Sequence, residues 1–323
     1  MMSFLSLPQL LILILALALT TVTESEKNID FLRNIPPAIC SPPDKSRKRP
    51  PRSVHSGMLL DEKHHVIMDW TPKAACTKAV EMFWNQMGIF RGIYYPTNSF
   101  IHNYRYYYYM NCGHVSQDML TNKSYYKFKI VRNPFNRAVS SYLHLMKTNI
   151  AHTITWASSV SGERDKEGSD RLNPLNDQTF EQFLNMYMKD VHPDSNKYHN
   201  VALTHFQPQS LDVEVKAFKS KTKSIFDYIV HLENFDEDIA VVNKASKMNY
   251  SFPYEVVDTH EVMKTKQSDR YFGNTTFSTM MKSSGVPENY GKFYNRNTKR
   301  IVSKIFANDL KIYNYTFPFS KIY

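Results

Sequence analysis

The sequence predicts an α/β fold in which a parallel sheet is flanked by helices on both faces. Three apolar segments with the character of strands, residues 64–70, 125–131 and 224–232, are each followed by a helical segment. Strands and helices that alternate in this way are typical of a parallel sheet. The chain has 323 residues, of which 42% are hydrophobic and 14% aromatic, so it can bury a substantial core and is not wholly disordered. Nine glycines and three cysteines exclude a collagen-like or disulfide-framework protein.

The first 60 residues differ in character from the rest of the chain. Residues 1–23 carry no Asp, Glu, Lys or Arg and contain an unbroken apolar run at 10–19. That run has the length of a signal-peptide core and is shorter than the ~20 residues of a membrane-spanning helix, so we interpret 1–23 as a signal peptide or signal anchor. Residues 24–60 hold three Pro-Pro pairs and a basic run, which favours an extended stem. Residues 61–323 are predicted to form the folded domain.

The charge, the glycosylation sequons and the cysteines of the chain indicate the partner and the compartment of that domain. The chain carries 40 Lys and Arg against 30 Asp and Glu, and this net charge of +10 predicts an anionic partner. Cys40 and Cys112 are the candidate disulfide pair in an oxidising compartment, because Cys76 lies within a motif; three free thiols are the alternative. Four Asn-x-Ser/Thr sequons fit passage through the secretory pathway, at Asn122, Asn249, Asn274 and Asn314.

The first strand leads through a loop, residues 71–77, straight into a helix. A helix N-terminus presents unpaired N–H groups and a positive dipole end, so it binds phosphate-like anions. Lys73 adds a cation and Thr77 a hydroxyl, whereas the two glycines of a Walker A loop are absent, which disfavours an ordinary ATPase or kinase. An ordinary turn with an exposed lysine is the alternative. The loop reads Thr71-Pro72-Lys73-Ala74-Ala75-Cys76-Thr77.

The second strand ends in a similar junction. Asn133 and Pro134 predict the N-cap and first residue of a helix that extends to about residue 147. Arg132, at the end of the strand, offers a forked contact to a phosphate, and Ser140, further along the helix, offers a neutral hydrogen bond. The junction therefore predicts a second phosphate site. It reads Val131-Arg132-Asn133-Pro134-Phe135-Asn136-Arg137-Ala138-Val139-Ser140-Ser141-Tyr142.

Together the two junctions resemble the sulfotransferases that use 3′-phosphoadenosine 5′-phosphosulfate (PAPS). The first is similar to their 5′-phosphosulfate loop, Pro-Lys-x-x-x-Ser/Thr, and the second to their 3′-phosphate motif, Arg-x-Pro-x-x-Arg-x-x-Ser-x-Tyr. The cysteine of the loop and the pattern around Arg132 are closest to Golgi carbohydrate sulfotransferases that act on chondroitin, dermatan and related glycans. Segments 205–209 and 226–234 resemble the same group, and the resemblance covers roughly residues 65–315.

This resemblance implies a P-loop-like sulfotransferase fold and a set of roles. Lys73 would contact the transferring sulfonate, Thr77 and nearby backbone N–H groups the 5′-phosphate, and Arg132 with Ser140 the 3′-phosphate. No metal is implied. The partner would be an anionic glycan rather than a nucleic acid, and residues 1–23 would attach the enzyme to the Golgi membrane, with a cleaved, secreted form as the alternative. Basic residues before the apolar run, which the family's layout has, are missing. The residues implied to bind PAPS are Pro72, Lys73, Ala74, Ala75, Cys76, Thr77, Arg132 and Ser140.

Sulfate transfer to a hydroxyl needs a general base, for which histidine is suited near neutral pH. His114, in Cys112-Gly113-His114-Val115-Ser116, resembles the Gly-His-Val segment of the heparan sulfate 2-O-sulfotransferase group and is the candidate. His205 and an acidic residue are the alternatives.

Two segments of the sequence allow two interpretations each, and two other functions are compatible with the sequence. A tyrosine-rich segment, 103–111, suits either sugar stacking or the core. The basic trio Arg296, Lys299 and Arg300 fits either a contact to nucleotide or acceptor or a solvated helix face. The rival functions are a P-loop kinase and a non-catalytic heparin-binding protein.

Overall fold

A computed structural model describes most of the region that the sequence predicts to be folded. The described residues are 58–88, 115–147, 178–190, 205–252, 264–265, 270–283 and 285–323. Their strands are β1 (Leu59–Asp61), β2 (Val66–Trp70), β3 (Tyr126–Val131), β4 (Tyr228–His231), β5 (Lys264–Thr265) and β6 (Val286–Pro287). Their helices are α1 (Cys76–Gln86), α2 (Gln117–Thr121), α3 (Pro134–Lys147), α4 (Phe180–Asp190), α5 (Asp212–Lys219), α6 (Phe235–Ser246), α7 (Phe277–Ser283), α8 (Arg296–Ile305) and α9 (Ala307–Ile312).

The main sheet has four strands in the order β1-β2-β3-β4. Strands β2, β3 and β4 are parallel, and β1 pairs antiparallel with β2. The carboxyl ends of the three parallel strands therefore meet at one edge of the sheet, which we call the carboxyl edge. Because β1 begins at Leu59, two buried residues of the predicted stem, Leu59 and Leu60, belong to the sheet.

Helices cover both faces of this sheet, which confirms the predicted fold class. On one face α1 and α6 pack against alternate strand residues such as Met68, Phe128 and Val230. On the other face, Ile67 and its neighbours pack against α2 and Phe226. Beside the sheet, α3, α4 and α8 form a second core, which is rich in aromatic side chains. Helix α3 thus links the sheet to the second core.

The largest boundary differences from the sequence prediction within the folded domain occur at three places. Strand β2 begins at Val66 rather than 64, because His65 lies in a turn with a left-handed backbone. Strand β4 begins at Tyr228 rather than 224. The single helix expected at 297–312 is two helices, α8 and α9, separated at Phe306. Phe306 leaves the helical conformation there, and its ring is buried against Phe206.

Several sequence predictions fall on residues that the structure does not describe. They include the apolar run at 10–19, most of the stem, Cys40, Cys112, His114 and the tyrosine-rich segment. Within the described part of the chain, no helix combines the length and the apolar character needed to cross a membrane.

Candidate active site

The loop between β2 and α1 has the backbone geometry of an anion site. Lys73 and Ala75 both adopt positive φ angles, 67° and 54°, and the Ala74 N–H donates to the Thr71 carbonyl across 3.0 Å. Turns with such left-handed residues direct successive N–H groups towards one point. Ala75 is also the N-cap of α1, where it supplies no side-chain acceptor, and the first turn of α1 holds no acidic residue. The start of α1 therefore lacks the side-chain cap and the acidic charge that would compete with an anion.

Arg132 joins this loop to the second motif. It directly follows β3, the parallel neighbour of β2, so both junctions lie at the carboxyl edge. Its Nη1 donates to the carbonyl oxygen of Lys73 across 3.1 Å. The two segments that the sequence analysis assigned to opposite ends of one nucleotide are thus in direct contact, although they are 59 residues apart in the chain.

Arg137 makes a second connection to the same loop. Its side chain is fully buried, its Nε donates to the Pro72 carbonyl at 3.0 Å and its Nη2 to the His205 carbonyl at 3.4 Å. Burial lowers the pKa of Arg137 to about 10, partly offset by the Asp309 carboxylate, so the guanidinium stays charged at neutral pH. Arg137 lies within the second motif, but no role was predicted for it from the sequence. Its position one turn before Ser140 was the available signal.

Helix α3 carries the remaining residues of the second motif. The Asn133 Oδ1 accepts the Phe135 N–H at 3.0 Å, which confirms the predicted cap ahead of Pro134. Ser140 is half-buried and lies ~9 Å along the helix from Pro134 at the usual rise per residue. The adjacent Ser141 donates its hydroxyl to the His205 carbonyl.

Gln209 holds the backbone of Arg132 in place. Its Oε1 accepts the Arg132 N–H at 2.9 Å and its Nε2 donates to the Arg132 carbonyl at 2.8 Å. The Gln209 N–H in turn donates to the buried carboxylate of Asp309 on α9, at 2.8 Å. Segment 205–209, which only a resemblance had singled out, thus positions Arg132 and Arg137.

The carboxyl end of β4 and the C-terminal segment complete this edge. Glu233 accepts the Asn133 N–H at 2.8 Å and the Tyr315 hydroxyl at 2.9 Å. The Nδ2 of Asn133 donates to the Thr316 carbonyl at 2.9 Å. Residues 313–317, which we call the C-terminal strap, therefore lie across the end of β3 beside Arg132. Tyr315 and Asp309 had no role predictable from the sequence, because their partners are far away in the chain.

Comparison with known proteins identifies the family to which this chain belongs. The model of the sulfotransferase family matches residues 56–316, from just before β1 to the C-terminal strap. The chain belongs to the sulfotransferase family. Searches among curated proteins and among solved structures gave no match.

The residues at the carboxyl edge of this sulfotransferase fit the sulfonate donor that the family generally uses, PAPS. The uncapped start of α1 and Lys73 suit the phosphosulfate end, and Arg132 with Ser140 suits a second phosphate. These assignments stay predictions. No cluster of three or more His, Cys, Asp or Glu suited to a metal ion occurs within the ranges that the structure describes.

Of the two candidate base histidines, only His205 is described. Its ring stacks on that of His144, with centroids 4.6 Å apart, and its carbonyl accepts from Arg137, the same side chain that contacts Pro72. His205 therefore lies near the loop, whereas His114 lies outside the described residues.

A buried charge network lies behind the site on the sheet. The Lys129 Nζ is 3.0 Å from an Asp69 carboxylate oxygen and 2.6 Å from one of Glu214, and all three side chains are buried. Burial disfavours the charged form of Lys129, but the two carboxylates outweigh it and raise the pKa of Lys129. The Tyr313 hydroxyl donates to Glu214 at 2.9 Å, which connects the network to the C-terminal strap.

Proposed function

We propose that this sulfotransferase transfers the sulfonate group of PAPS to a hydroxyl of a carbohydrate, namely an anionic, glycosaminoglycan-like polysaccharide. The observation that supports it most is the hydrogen bond from Arg132 to the Lys73 carbonyl, since it unites two anion-binding junctions at one edge. The basic balance of the chain supports an anionic acceptor, because opposite charge steers such a polymer to the protein.

When bound, PAPS supplies an activated sulfonate attached to a phosphate leaving group. The Lys73 cation and the N–H groups at the start of α1 hold negative charge at the loop, where Thr77 adds a hydroxyl donor. Arg132 and Ser140 orient the other end by holding its phosphate. Arg137 keeps the loop rigid through the Pro72 carbonyl, so these donors are preorganised.

His114 is proposed as the group that accepts the proton of the acceptor hydroxyl, with His205 as the alternative. The base must be neutral to act, and an imidazole titrates near ~6.5, so turnover should increase with pH through that range. Ala substitution of the true base should lower kcat about 100-fold with little change in nucleotide affinity. Parallel measurements on His114→Ala and His205→Ala, with melting temperatures, identify which one it is.

The decisive experiment is sulfate transfer from labelled PAPS to a panel of glycans, followed by disaccharide analysis of the product. The proposal predicts label in a glycosaminoglycan, and in Lys73→Met a loss of most of kcat with a smaller loss of affinity for the desulfated product PAP. Lys244→Met, an exposed lysine in the last turn of α6, is the control. Glycan binding without transfer would favour the heparin-binding alternative, and stabilisation by ATP-Mg²⁺ but not by PAP would favour the kinase.

We also propose a Golgi location, with the catalytic domain in the lumen and residues 1–23 as a membrane anchor or a cleaved signal. The asparagines of all four sequons are exposed in the described part of the chain, which supports access for a glycan. Asn122, Asn249, Asn274 and Asn314 are those residues.

A further inference from the structure

Helix α8 presents a row of exposed cations. Arg296, Arg300 and Lys304 follow one another at four-residue intervals, so they lie on one side of the helix about 6 Å apart. The helix contains no acidic residue, and its apolar residues Ile301 and Val302 are buried. We call these three cations the α8 row.

The sequence around the α8 row is strongly basic, although the Glu181 carboxylate of α4 reaches the start of α8, where it accepts from the Asn295 Nδ2 at 2.6 Å. Residues 289–323 contain seven Lys and Arg but one acidic residue, Asp309. That carboxylate is fully buried and accepts from the backbone N–H groups of Gln209 and Ser210, so it does not face the row's solvent side. The C-terminal part of the chain thus contributes much of the +10 net charge of the protein.

The N-terminal end of α8 adjoins the carboxyl edge where the site lies. The Tyr294 hydroxyl, just before α8, donates to the Phe135 carbonyl at 2.7 Å, and Phe135 follows Arg132 by three residues. The Lys299 Nζ lies 4.4 Å from the Phe317 ring centroid, and that ring packs edge-on against Phe135 at 4.9 Å. A ligand that extends beyond the site in this direction would meet the α8 row.

We propose that the α8 row is an exosite for the acceptor, which binds the stretch of an anionic polysaccharide that continues beyond the reacting sugar. This inference rests on the proposed function. A linear row of separated cations suits a polymer with regularly repeated carboxylates or sulfates, whereas a small anion needs convergent donors. A lipid surface fits less well, because the exposed residues of α8 are all polar and membrane-bound helices expose an apolar face.

A second lysine-rich surface provides the contrast. Lys216, Lys219 and Lys223 are exposed, they lie close in sequence to the half-exposed Phe218, and they precede β4. The N–H of Asp227, an ion-pair partner of Lys223, donates to the Lys127 carbonyl near the start of β3. This surface therefore lies at the opposite edge of the sheet from the site.

The test is a triple variant, Arg296→Gln, Arg300→Gln and Lys304→Gln, which keeps helix-forming side chains and leaves Lys299 on Phe317. We expect the KM for a long chondroitin or heparan-type polymer to rise about tenfold, because each exposed ion pair between the row and the polymer contributes only modestly to binding. The KM for a short oligosaccharide acceptor and the affinity for PAP should stay unchanged. Direct binding of the polymer should also depend less steeply on salt.

The control is Lys216→Gln, Lys219→Gln and Lys223→Gln, which removes the same charge at the other edge. An unchanged polymer KM in the α8 variant, or an equal increase in the control, would overturn the exosite while sulfate transfer by the wild-type enzyme upholds the proposed function. Absence of transfer by the wild-type enzyme to any glycan would instead overturn the proposed function. The single variant Arg300→Gln should show a smaller change in the same direction if the triple variant folds poorly.

Discussion

At the scale of single residues, two arginines determine how the site is assembled. Arg132 contacts the Lys73 carbonyl, and Arg137 contacts the Pro72 carbonyl, so adjacent residues of one loop are held from α3 and the end of β3. Arginine suits this task because its planar group donates in several fixed directions and stays charged when buried. The two side chains differ in exposure: Arg132 is half-buried and Arg137 is fully buried.

Arg132→Ala should weaken PAP binding about 10- to 100-fold, because a charge-assisted contact is lost. Arg132→Lys should restore part of the PAP affinity, because lysine keeps the positive charge but lacks the paired donors of the guanidinium. Calorimetric titration with PAP measures the effect. Arg270→Ala, an exposed arginine over the Phe272 ring, is the control and should bind PAP normally. Normal affinity in a folded Arg132→Ala protein would refute the 3′-phosphate assignment.

Arg137→Met should lower the free energy of unfolding by about 2–4 kcal/mol, because two buried carbonyl groups lose their donor. The loop should also lose its support, so kcat should decrease even where the protein is folded. Chemical denaturation and kinetics on the same preparation test both expectations. The comparison variant is Arg300→Met, whose side chain is exposed. Equal stabilities of Arg137→Met and the wild type would contradict the bridging role.

At the scale of elements, helix α9 supports the site from a distance. Asp309 on α9 accepts the N–H groups of Gln209 and Ser210, both at 2.8 Å, and Gln209 pairs with the Arg132 backbone. The separation of α9 from α8 at Phe306 belongs to the same arrangement, because Phe306 packs on Phe206 of this segment. An aromatic contact and a carboxylate thus hold segment 205–209 against the end of β3.

Asp309→Asn should decrease stability by about 1.5–3 kcal/mol, because an amide replaces a charged acceptor of buried N–H groups. The affinity for PAP should decrease as well, through the loss of order at Gln209 and Arg132. Asp212→Asn, at the exposed start of α5, is the matched control and should change stability by a few tenths of a kcal/mol only. PAP titration and thermal melts provide both readings. A variant with a lower melting temperature but the wild-type affinity for PAP would show that Asp309 stabilises the fold without positioning Arg132.

At the scale of the whole molecule, the charge network around Lys129 ties the sheet to the C-terminal half. Lys129 on β3 bridges Asp69 on β2 and Glu214 on α5, and Glu214 accepts from Tyr313. Burial raises the pKa of Glu214, against the lowering effect of the Lys129 charge. Removing that lysine would leave two buried carboxylates without a cation.

Lys129→Met should therefore destabilise the protein by about 3–5 kcal/mol. The loss should depend on pH with a definite sign. Without the cation the pKa of Glu214 rises further in the folded state, so the folded protein binds more protons than the unfolded chain above ~4.3, and stability decreases as pH rises. Denaturation at about pH 5 and about pH 8 should show the larger deficit at the higher pH. An equal deficit at both values would contradict this account, and Lys216→Met is the exposed control.

The location of the whole protein can be tested through its sequons. After expression in secretory cells, glycosidase treatment should increase the gel mobility of the protein, because at least one exposed sequon asparagine carries a glycan. Asn→Gln variants of Asn122, Asn249, Asn274 and Asn314, singly and together, should reduce that shift. A protein without a shift that fractionates with the cytosol would contradict the proposed lumenal location.

The sequence by itself determined the main secondary-structure elements of this protein and the two strand–helix junctions. Apolar runs marked β2 and β3, and Asn133 with Pro134 marked the start of α3, because strand and cap signals are local and appear in consecutive residues. The two junctions were recognisable for the same reason, and the family match agrees with that recognition.

Only the tertiary structure decided how these elements and junctions come together in one site. The contact of Arg132 with the Lys73 carbonyl spans 59 residues, and the contacts of Asp309 with Gln209 and of Glu233 with Asn133 each span 100. Such contacts leave no periodicity in the sequence. The role of the C-terminal strap was therefore not predictable, and the spacing of Arg137 before Ser140 indicated its place in the motif but not its contact with Pro72. The division of the last helix at Phe306 has the same origin, because burial of one ring against a distant segment outweighed the local preference for helix.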